Sequence, residues 1–425
     1  ENKLKAIEEA KKAQDAKKNS QLLKDIAEME STFYPTMMRL ERLIDLSNEG
    51  STDEENDIYN AISSALVKYK DFQDKKEKTD TEDQDTEGVY MLLQTALMVL
   101  EGSDNYTDTS MQLKKINPST SIRSIGNFDN SITAFGGDDG NLYAINSKEG
   151  FDMIPIRLKE RIRSVVFTNP NEVIVGTFKG NVYRVLLNKK FSPGEDRIFN
   201  VDSPIKEIYH DVSQNELLIL SENQIAHLDL SSRQYKTNII ENSITASYFD
   251  GNQIVMAAGN HIYTYRDGAL TQQSMDSYFY SKSSRYTAIL LERGKLFLGN
   301  SVGEIAVYTQ APNKNWNFLN KIPLHRTQIT KLLYDTNFDI LYSSSLDNQI
   351  LKFKIKGDDI EGATNNAISL LGHTKWVWDL NLSEDENGKK ILITVDEDGN
   401  ALSWFCDQHD LAKKVEILLD EKFSE

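Results

Sequence analysis

Two hydrophobic periods divide the chain. Up to about residue 110, apolar side chains recur every three or four positions, the helical spacing. Leu4, Ile7, Ala10 and Ala13 form a thin stripe, which thickens at Leu22, Leu23, Ile26, Met29 and Phe33. Pro35 is expected to end or kink that helix. Residues 37–46 are a second helical candidate. A third carries Ile58, Ile62, Ala65, Leu66 and Tyr69, with Ser51 or Thr52 as cap and Glu54 or Glu55 as the reciprocal acid. A further helix is expected over 89–100, closed by Gly102. Between these, residues 71–87 hold eight acids, three lysines and almost nothing apolar, and read as a solvated acidic loop.

Beyond residue 118 the period becomes two, the spacing of half-buried strands. One local pattern recurs: a short apolar strand, a tight turn on Gly or Asn, then a second alternating strand. The copies are GGDDGNLYAI at 136–145, GTFKGNVYRV at 176–185, LSENQIAHL at 220–228, AAGNHIYTY at 257–265, NSVGEIAVY at 300–308, SSLDNQILKF at 344–353 and VDEDGNALSW at 395–404. Such hairpin turns need positive φ, which Gly and Asn tolerate. The residue after each turn (Asn141, Asn181, Gln224, His261, Glu304, Gln349, Asn400) repeats at intervals of 40, 43, 37, 43, 45 and 51. A strand precedes each copy, at 122–128, 162–168, 205–210, 244–249, 286–291, 329–334 and 377–382. Each copy but the last has a less regular fourth strand, for example 153–158 or 197–201. Four strands per 40–45 residues is the period of a propeller blade. The expected fold is mainly β: a seven-bladed β-propeller at 111–408, after a helical connector at 1–110. Residues 111–116 are strand-like and are expected to supply the missing outer strand of the last blade. A C-terminal helix is expected over 409–425, with Leu411, Val415, Leu418 and Leu419 on one face.

Charge narrows the partners. The chain carries 65 acidic and 48 basic side chains, net −17. Residues 1–115 hold 25 acids and 16 bases, the other 310 residues 40 and 32, so the helical part has about three times the charge density. Phosphate binding needs clustered Lys and Arg, so nucleic acid is not an expected partner. A single cysteine excludes a disulfide framework and a cysteine-rich zinc module. No apolar run approaches the roughly 18–20 residues of a membrane span. Residues 1–20 are charged throughout and show no secretory h-region; a cytoplasmic location is expected. The start at Glu1 suggests a piece of a longer protein.

The repeated unit resembles the WD-repeat propellers. The last copy is the best match: Gly372-His373, Asp398-Gly399-Asn400 and Trp404 look like the family's Gly-His, Asp-Gly turn and strand Trp. In that family a His, a Ser or Thr, an Asp and a Trp form a buried hydrogen-bonded set. By the resemblance, His373, Asp398 and Trp404 belong to it, with Asp396 where Ser or Thr is expected. His325, Ser345 and Asp347 match in unit six, with Phe353 in place of Trp and one bond lost. Units two to five lack most of the set. The helix around Asp57-Ile58-Tyr59-Asn60-Ala61-Ile62, followed by a propeller, resembles the connector and WD-repeat sensor of bacterial STAND-type signalling proteins. There an effector or NTPase precedes the connector. Gly294-Lys295 and Gly388-Lys389 lack the following Ser or Thr of a Walker A loop, so the resemblance implies that any enzyme lies upstream or on another polypeptide.

Catalytic patterns are scarce. His210, His227, His261, His325, His373 and His409 show no i, i+4 metal spacing, and Cys406 has no nearby partner. There is no G-x-S-x-G elbow. Asp138-Asp139 and Asp396-Glu397-Asp398 lie in hairpin turns rather than in an EF-hand pattern. No catalytic residue, cofactor or metal is therefore expected. One surface stands out. The residue before each inner strand should lie on one end of the ring, reading Ser121, Arg161, Pro204, Ser243, Arg285, Gln328 and Trp376. Arg and Trp are enriched at binding hot spots. Arg161, Arg285, Gln328, Lys375 and Trp376 are the expected partner-binding residues, for a protein or peptide that an otherwise acidic chain would select as acidic. The expected role is a non-catalytic interaction and ligand-sensing module of a larger signalling system. Alternatives are a scaffold subunit of a large assembly and a propeller enzyme with channel carboxylates.

Overall fold

The computed structural model describes five single positions between 24 and 38, then residues 52–77, 87–100 and 112–115. It also describes 120–423, apart from 130, 147–155, 190, 191, 193, 195, 267, 276–283, 313, 314, 356–366, 371, 386 and 387. Two compact units result, dividing between Ser110 and Met111 and again between Trp404 and Phe405.

The first unit contains α1 (Thr52–Glu77), α2 (Glu87–Leu100) and α3 (Gln408–Phe423). Their apolar stripes meet: Ile62, Ala65, Leu66, Tyr69 and Phe72 of α1 are buried, as are Leu92, Leu93, Ala96 and Leu97 of α2 and Leu411, Val415 and Leu419 of α3. Tyr90 also donates its hydroxyl to the carbonyl of Phe405 at 2.8 Å. One expectation is corrected. Helix α1 runs through 71–77, so the first part of the acidic stretch is helical. Phe72, one turn beyond Tyr69, is fully buried and anchors that extension. Residues 78–86 lie outside the described residues. Phe33, Pro35, Thr36 and Met38 are helical and Phe33 is buried; the expected end or kink at Pro35 turns on residues 34 and 37, outside the described residues. The expectations for 1–23, for most of 37–46, for the cap at Ser51 and for Gly102 also fall outside the described residues.

The second unit is seven four-stranded antiparallel sheets. Strand β1 is Gln112–Lys115. Blade 1 is β2 (Ile122–Phe128), β3 (Ile132–Gly137), β4 (Asn141–Asn146) and β5 (Ile156–Arg157); blade 2 is β6 (Ile162–Asn169), β7 (Glu172–Thr177), β8 (Asn181–Leu186) and β9 (Arg197–Asn200). Blade 3 is β10 (Glu207–Asp211), β11 (Glu216–Leu220), β12 (Gln224–Asp229) and β13 (Tyr235–Ile239). Blade 4 is β14 (Ile244–Phe249), β15 (Ile254–Ala258), β16 (His261–Arg266) and β17 (Ala269–Ser274); blade 5 is β18 (Tyr286–Glu292), β19 (Lys295–Asn300), β20 (Glu304–Gln310) and β21 (Trp316–Pro323). Blade 6 is β22 (Ile329–Asp335), β23 (Ile340–Ser345), β24 (Ile350–Lys354) and β25 (Ile368–Leu370). Blade 7 is β26 (Val377–Glu384), β27 (Lys390–Asp396) and β28 (Asn400–Phe405), with β1 as its outer strand. Strand β1 pairs antiparallel with β28, Lys115 opposite Asn400. The first and last strands of the propeller are thereby in one sheet.

The inner strands lie against one another around the ring, and β26 lies against β2, which closes it. Side chains stitch neighbouring inner strands together. Ser124 Oγ accepts the N–H of Val165 at 3.1 Å, Ser164 Oγ that of Ile208 at 2.9 Å, and Asp379 Oδ2 that of Ile125 at 2.9 Å. Between blades the space is filled by apolar side chains, for example Ala134, Leu142, Val165, Val173 and Val175 between blades 1 and 2. The turn glycines serve two needs. Gly180 has φ +82°, and a Cβ there would also collide with the carbonyl oxygen of Val201. That crowding reflects a repeated bond: the turn carbonyl accepts an N–H from the loop leaving the outer strand, as in Val201 to Gly180 at 2.9 Å and Met275 to Asn260 at 2.8 Å.

Candidate functional site

Buried polar sets brace the blades and position the turns at the ring's mouth. In blade 7, His373 Nδ1 lies 2.8 Å from Asp396 Oδ2, and Nε2 lies 2.7 Å from Thr394 Oγ1. Trp404 Nε1 donates to the same Thr394 oxygen at 2.9 Å. Asp396 accepts from Nδ1, and Thr394 Oγ1 joins the imidazole to the indole while also lying 3.5 Å from the carbonyl oxygen of Leu402. The expected set is thus corrected by two residues. Asp396 is the carboxylate and Thr394 the hydroxyl; Asp398 only donates its N–H to Asp396. In blade 6 only the hydroxyl shifts, and Asp347 is the carboxylate as expected. His325 bonds Asp347 at 3.1 Å through Nδ1 and Ser343 at 2.8 Å through Nε2, whereas Ser345 donates to the carbonyl of Thr327. The cause is the alternation of the strand: Thr394 and Ser343 are inward, two residues before the positions counted back from the turn. Burial raises the Asp347 carboxyl, but hydrogen bonds from His325 and from the N–H groups of Arg326 and Gln349 outweigh it and bring it down to about 2. Asp396 is likewise lowered: burial opposes, but His373 and Asn400 prevail.

Blades lacking this histidine use other groups. In blade 2 Glu160 accepts from Thr177 Oγ1 at 2.9 Å, Asn181 Nδ2 at 3.0 Å and Tyr183 at 3.3 Å. A glutamate from the entering loop thus takes the histidine's bracing task. No motif search for His and Trp finds it; the recurrence of Thr, Asn and Tyr beside the turn is the available signal.

At the mouth, the carbonyl of the residue before an inner strand accepts the N–H opening the nearby hairpin turn. The pairs are Ser121 with Asp138, Arg161 with Phe178, Arg285 with Ser301, Gln328 with Leu346 and Trp376 with Glu397, at 2.8–3.0 Å. These residues therefore occupy equivalent positions around one end of the ring. Lys375 and Trp376, with Asn348, Thr374 and Glu397, line a cavity of about 440 Å³ between blades 6 and 7. Trp376 is 48% exposed. Arg161 and Arg285 are exposed, Gln328 is half-buried, and none of the three lines that cavity. Among the described residues, Arg161, Arg285 and Lys375 make no side-chain hydrogen bond or ion pair.

A ladder of rings and guanidinium groups supports Trp376. Its ring meets Trp378 edge-on at 6.0 Å, Arg123 covers Trp378 at 3.5 Å, and Glu397 bonds both the Trp378 indole and Arg123. Arg123 and Arg163 share the carboxylate of Asp138, and Arg163 lies 5.1 Å from the ring of Phe178. Trp378, Arg123 and Arg163 were not expected here. They form the column two positions further along the repeat, the second residue of the inner strand, and aligning the copies there exposes them.

Two acids and a lysine meet where the innermost strands face each other. Lys331 Nζ lies 3.6 Å from Asp379 of the adjacent blade and 3.8 Å from Glu207 of blade 3, on the far side of the ring. Asp379 and then Glu207 hold the Lys331 ammonium well above its ordinary range, while burial raises Glu207. The two carboxylates are thus divided by a cation. No group of three or more metal-ligating side chains occurs among the described residues. Between blades 3 and 4 a polar groove of about 980 Å³ includes His227, which burial lowers. Two of its acids, Asp211 and Asp229, are occupied in capping turns. Cys406 is buried.

Fold and blade sets together define a seven-bladed β-propeller with WD-repeat relatives. A stretch of 130 residues is 31% identical to the WD repeat and FYVE domain-containing protein 2 of Caenorhabditis elegans, covering 31% of this chain and 29% of that protein. A stretch of 121 residues is 31% identical to the Caenorhabditis briggsae protein of the same name, covering 28% and 27%. The match therefore spans less than a third of the length of these relatives. No protein-family model matches the chain. Among solved structures, that of the computationally designed protein Ika8 aligns with a TM-score of 0.49 at 16% identity, over 68% of this chain and 97% of that one. No helix among the described residues is long and apolar enough to cross a membrane.

Proposed function

We propose that the chain is a protein-interaction module whose propeller binds an acidic protein or peptide at its mouth, centred on Trp376. One observation carries this: an exposed indole and the unpaired ammonium of Lys375 border one small cavity. Trp376 is a large anchor, prepaid in entropy by the ladder beneath it. Arg161 and Arg285 add unpaired cations at equivalent positions around the same end, which would steer an acidic partner toward a chain that is elsewhere acidic. Support also comes from the relatives, which are WD-repeat proteins by name. The finer role, a sensor joined to a larger signalling system through the helical unit, is a proposal that rests on the order of helices and propeller along the chain.

The test is a binding screen of the chain against acidic and basic peptide libraries, repeated with Trp376→Ala and Lys375→Glu. Recovery of acidic peptides by the chain and their loss in both variants is expected. Equal recovery by all three proteins would remove the site.

A further inference from the structure

The outer strand of blade 3 is unusual. Tyr235 is 61% and Ile239 74% exposed, the two most exposed large apolar side chains of any strand among the described residues. The pairing with β12 fixes which backbone groups point outward. Asp229 N–H donates to Gln234 and Ile240 N–H to Asn223, so 234, 236, 238 and 240 face β12. The N–H and C=O groups of Tyr235, Thr237 and Ile239 therefore face away from the sheet. An open, apolar edge of this kind is a template for another strand, and proteins normally blunt it with charge, proline or a bulge. Here β13 has none of these at its three outward positions.

We propose that β13 pairs antiparallel with β13 of a second copy of this chain, around a two-fold axis at Thr237. The sequence is self-complementary about that point. Tyr235 lies opposite the partner's Ile239, Thr237 opposite the partner's Thr237, and Lys236 opposite the partner's Asn238, so no like charges meet. The three outward residues of each copy would exchange about six hydrogen bonds. At the flanks Arg233 comes toward the partner's Glu241, twice by symmetry. Both side chains are exposed, and neither forms an ion pair among the described residues. This charge complementarity selects a second copy over an unrelated strand, and a two-fold contact needs only one such patch. The pairing is independent of the mouth and of its ligand.

The test uses the full chain in sedimentation at about 1–100 μM. A dimer in reversible equilibrium is expected. Thr237→Pro removes an outward N–H without touching the β12 ladder, a place where edge strands accept proline; it should weaken the dimer by roughly tenfold or more and leave the melting curve unchanged. Arg233→Glu and Glu241→Arg should each weaken it, and the double variant should restore it. Thr237→Cys should cross-link under mild oxidation faster than Asn238→Cys, because residues opposite in a hydrogen-bonded pair stand at disulfide distance. A monomer throughout that range, a dimer indifferent to Thr237→Pro, or a double charge swap that fails to recover would each overturn the proposal.

Discussion

The guanidinium of Arg123 lies 3.5 Å above the ring of Trp378, so the first blade of the ring is bound to the last through a cation and an aromatic face. Glu397 bonds both partners, and Asp138 bonds the same arginine. The contact is half-buried, where such pairs contribute about 0.5–2 kcal/mol. Arg123→Met keeps the stem and removes the charge. Its expected cost is about 1–2 kcal/mol in urea unfolding, with weaker peptide capture because Trp378 no longer has a fixed position under Trp376. An unchanged midpoint would show that the ladder is decorative.

In blade 7 one hydroxyl serves two partners, and in blade 6 it serves one. Thr394→Val removes the bonds of both His373 Nε2 and Trp404 Nε1, while preserving shape. Each buried group left without a partner costs about 1–3 kcal/mol, so a loss of about 2–4 kcal/mol is expected. Ser343→Ala strands only His325, because Phe353 has no N–H, and should cost about half as much. Denaturant titration of both variants checks the order; equal losses would contradict the hydrogen-bond assignment.

Much of the fold was legible because the blade turns write themselves in Gly and Asn and the strands in period-two runs. Within the blade sets His325, Asp347, His373 and Trp404 stand where the resemblance puts them, and two residues are read two positions late. Ser345 and Asp398 were counted from the turn, whereas the partners of the histidines follow the inward face of the preceding strand. Trp376 and Lys375 were visible as unusual residue types in a repeated column. Arg123 and Trp378 were not, since their meaning comes from closing the ring, which makes blades 1 and 7 neighbours. Helix α1 ran past its expected end because one buried aromatic, Phe72, outweighed a run of acids.

The carboxyl of Asp347 offers a pH test. It falls to about 2 in the folded protein, against about 3.9 in an unfolded chain. A lowered carboxyl contributes stability that is present in full above the unfolded value and fades as pH falls toward the folded one. The window is therefore about pH 4 down to pH 2. The carboxylate is held by three donors yet lies near solvent, so a contribution of about 1–2 kcal/mol is expected. Asp347→Asn should be less stable than the parent by that amount at pH 6, with the difference shrinking below pH 4. A gap that stays constant with pH would mean the side chain acts through shape alone.

The triad at the inner strands makes the sharpest electrostatic prediction. Glu207, Lys331 and Asp379 each lie two residues beyond Ile205, Ile329 and Val377, and Ser124 and Ser164, two beyond Ile122 and Ile162, are inter-blade stitches. Removing the cation leaves two carboxylates facing each other across the ring. For a fully buried group the cost of breaking such a set is about 3–5 kcal/mol. Here the side chains of Lys331, Glu207 and Asp379 are 36%, 29% and 11% exposed, and water screens them. Lys331→Met should therefore destabilise by about 1–3 kcal/mol at pH 7. Because Glu207, which burial already raises, regains neutrality by taking up a proton, the loss should shrink as pH falls. Adding Glu207→Gln and Asp379→Asn to Lys331→Met should recover most of it, since no charge then remains uncompensated. A single variant as stable as the parent at pH 7, or a triple variant no better than the single, would show that the ammonium does not hold the two acids together.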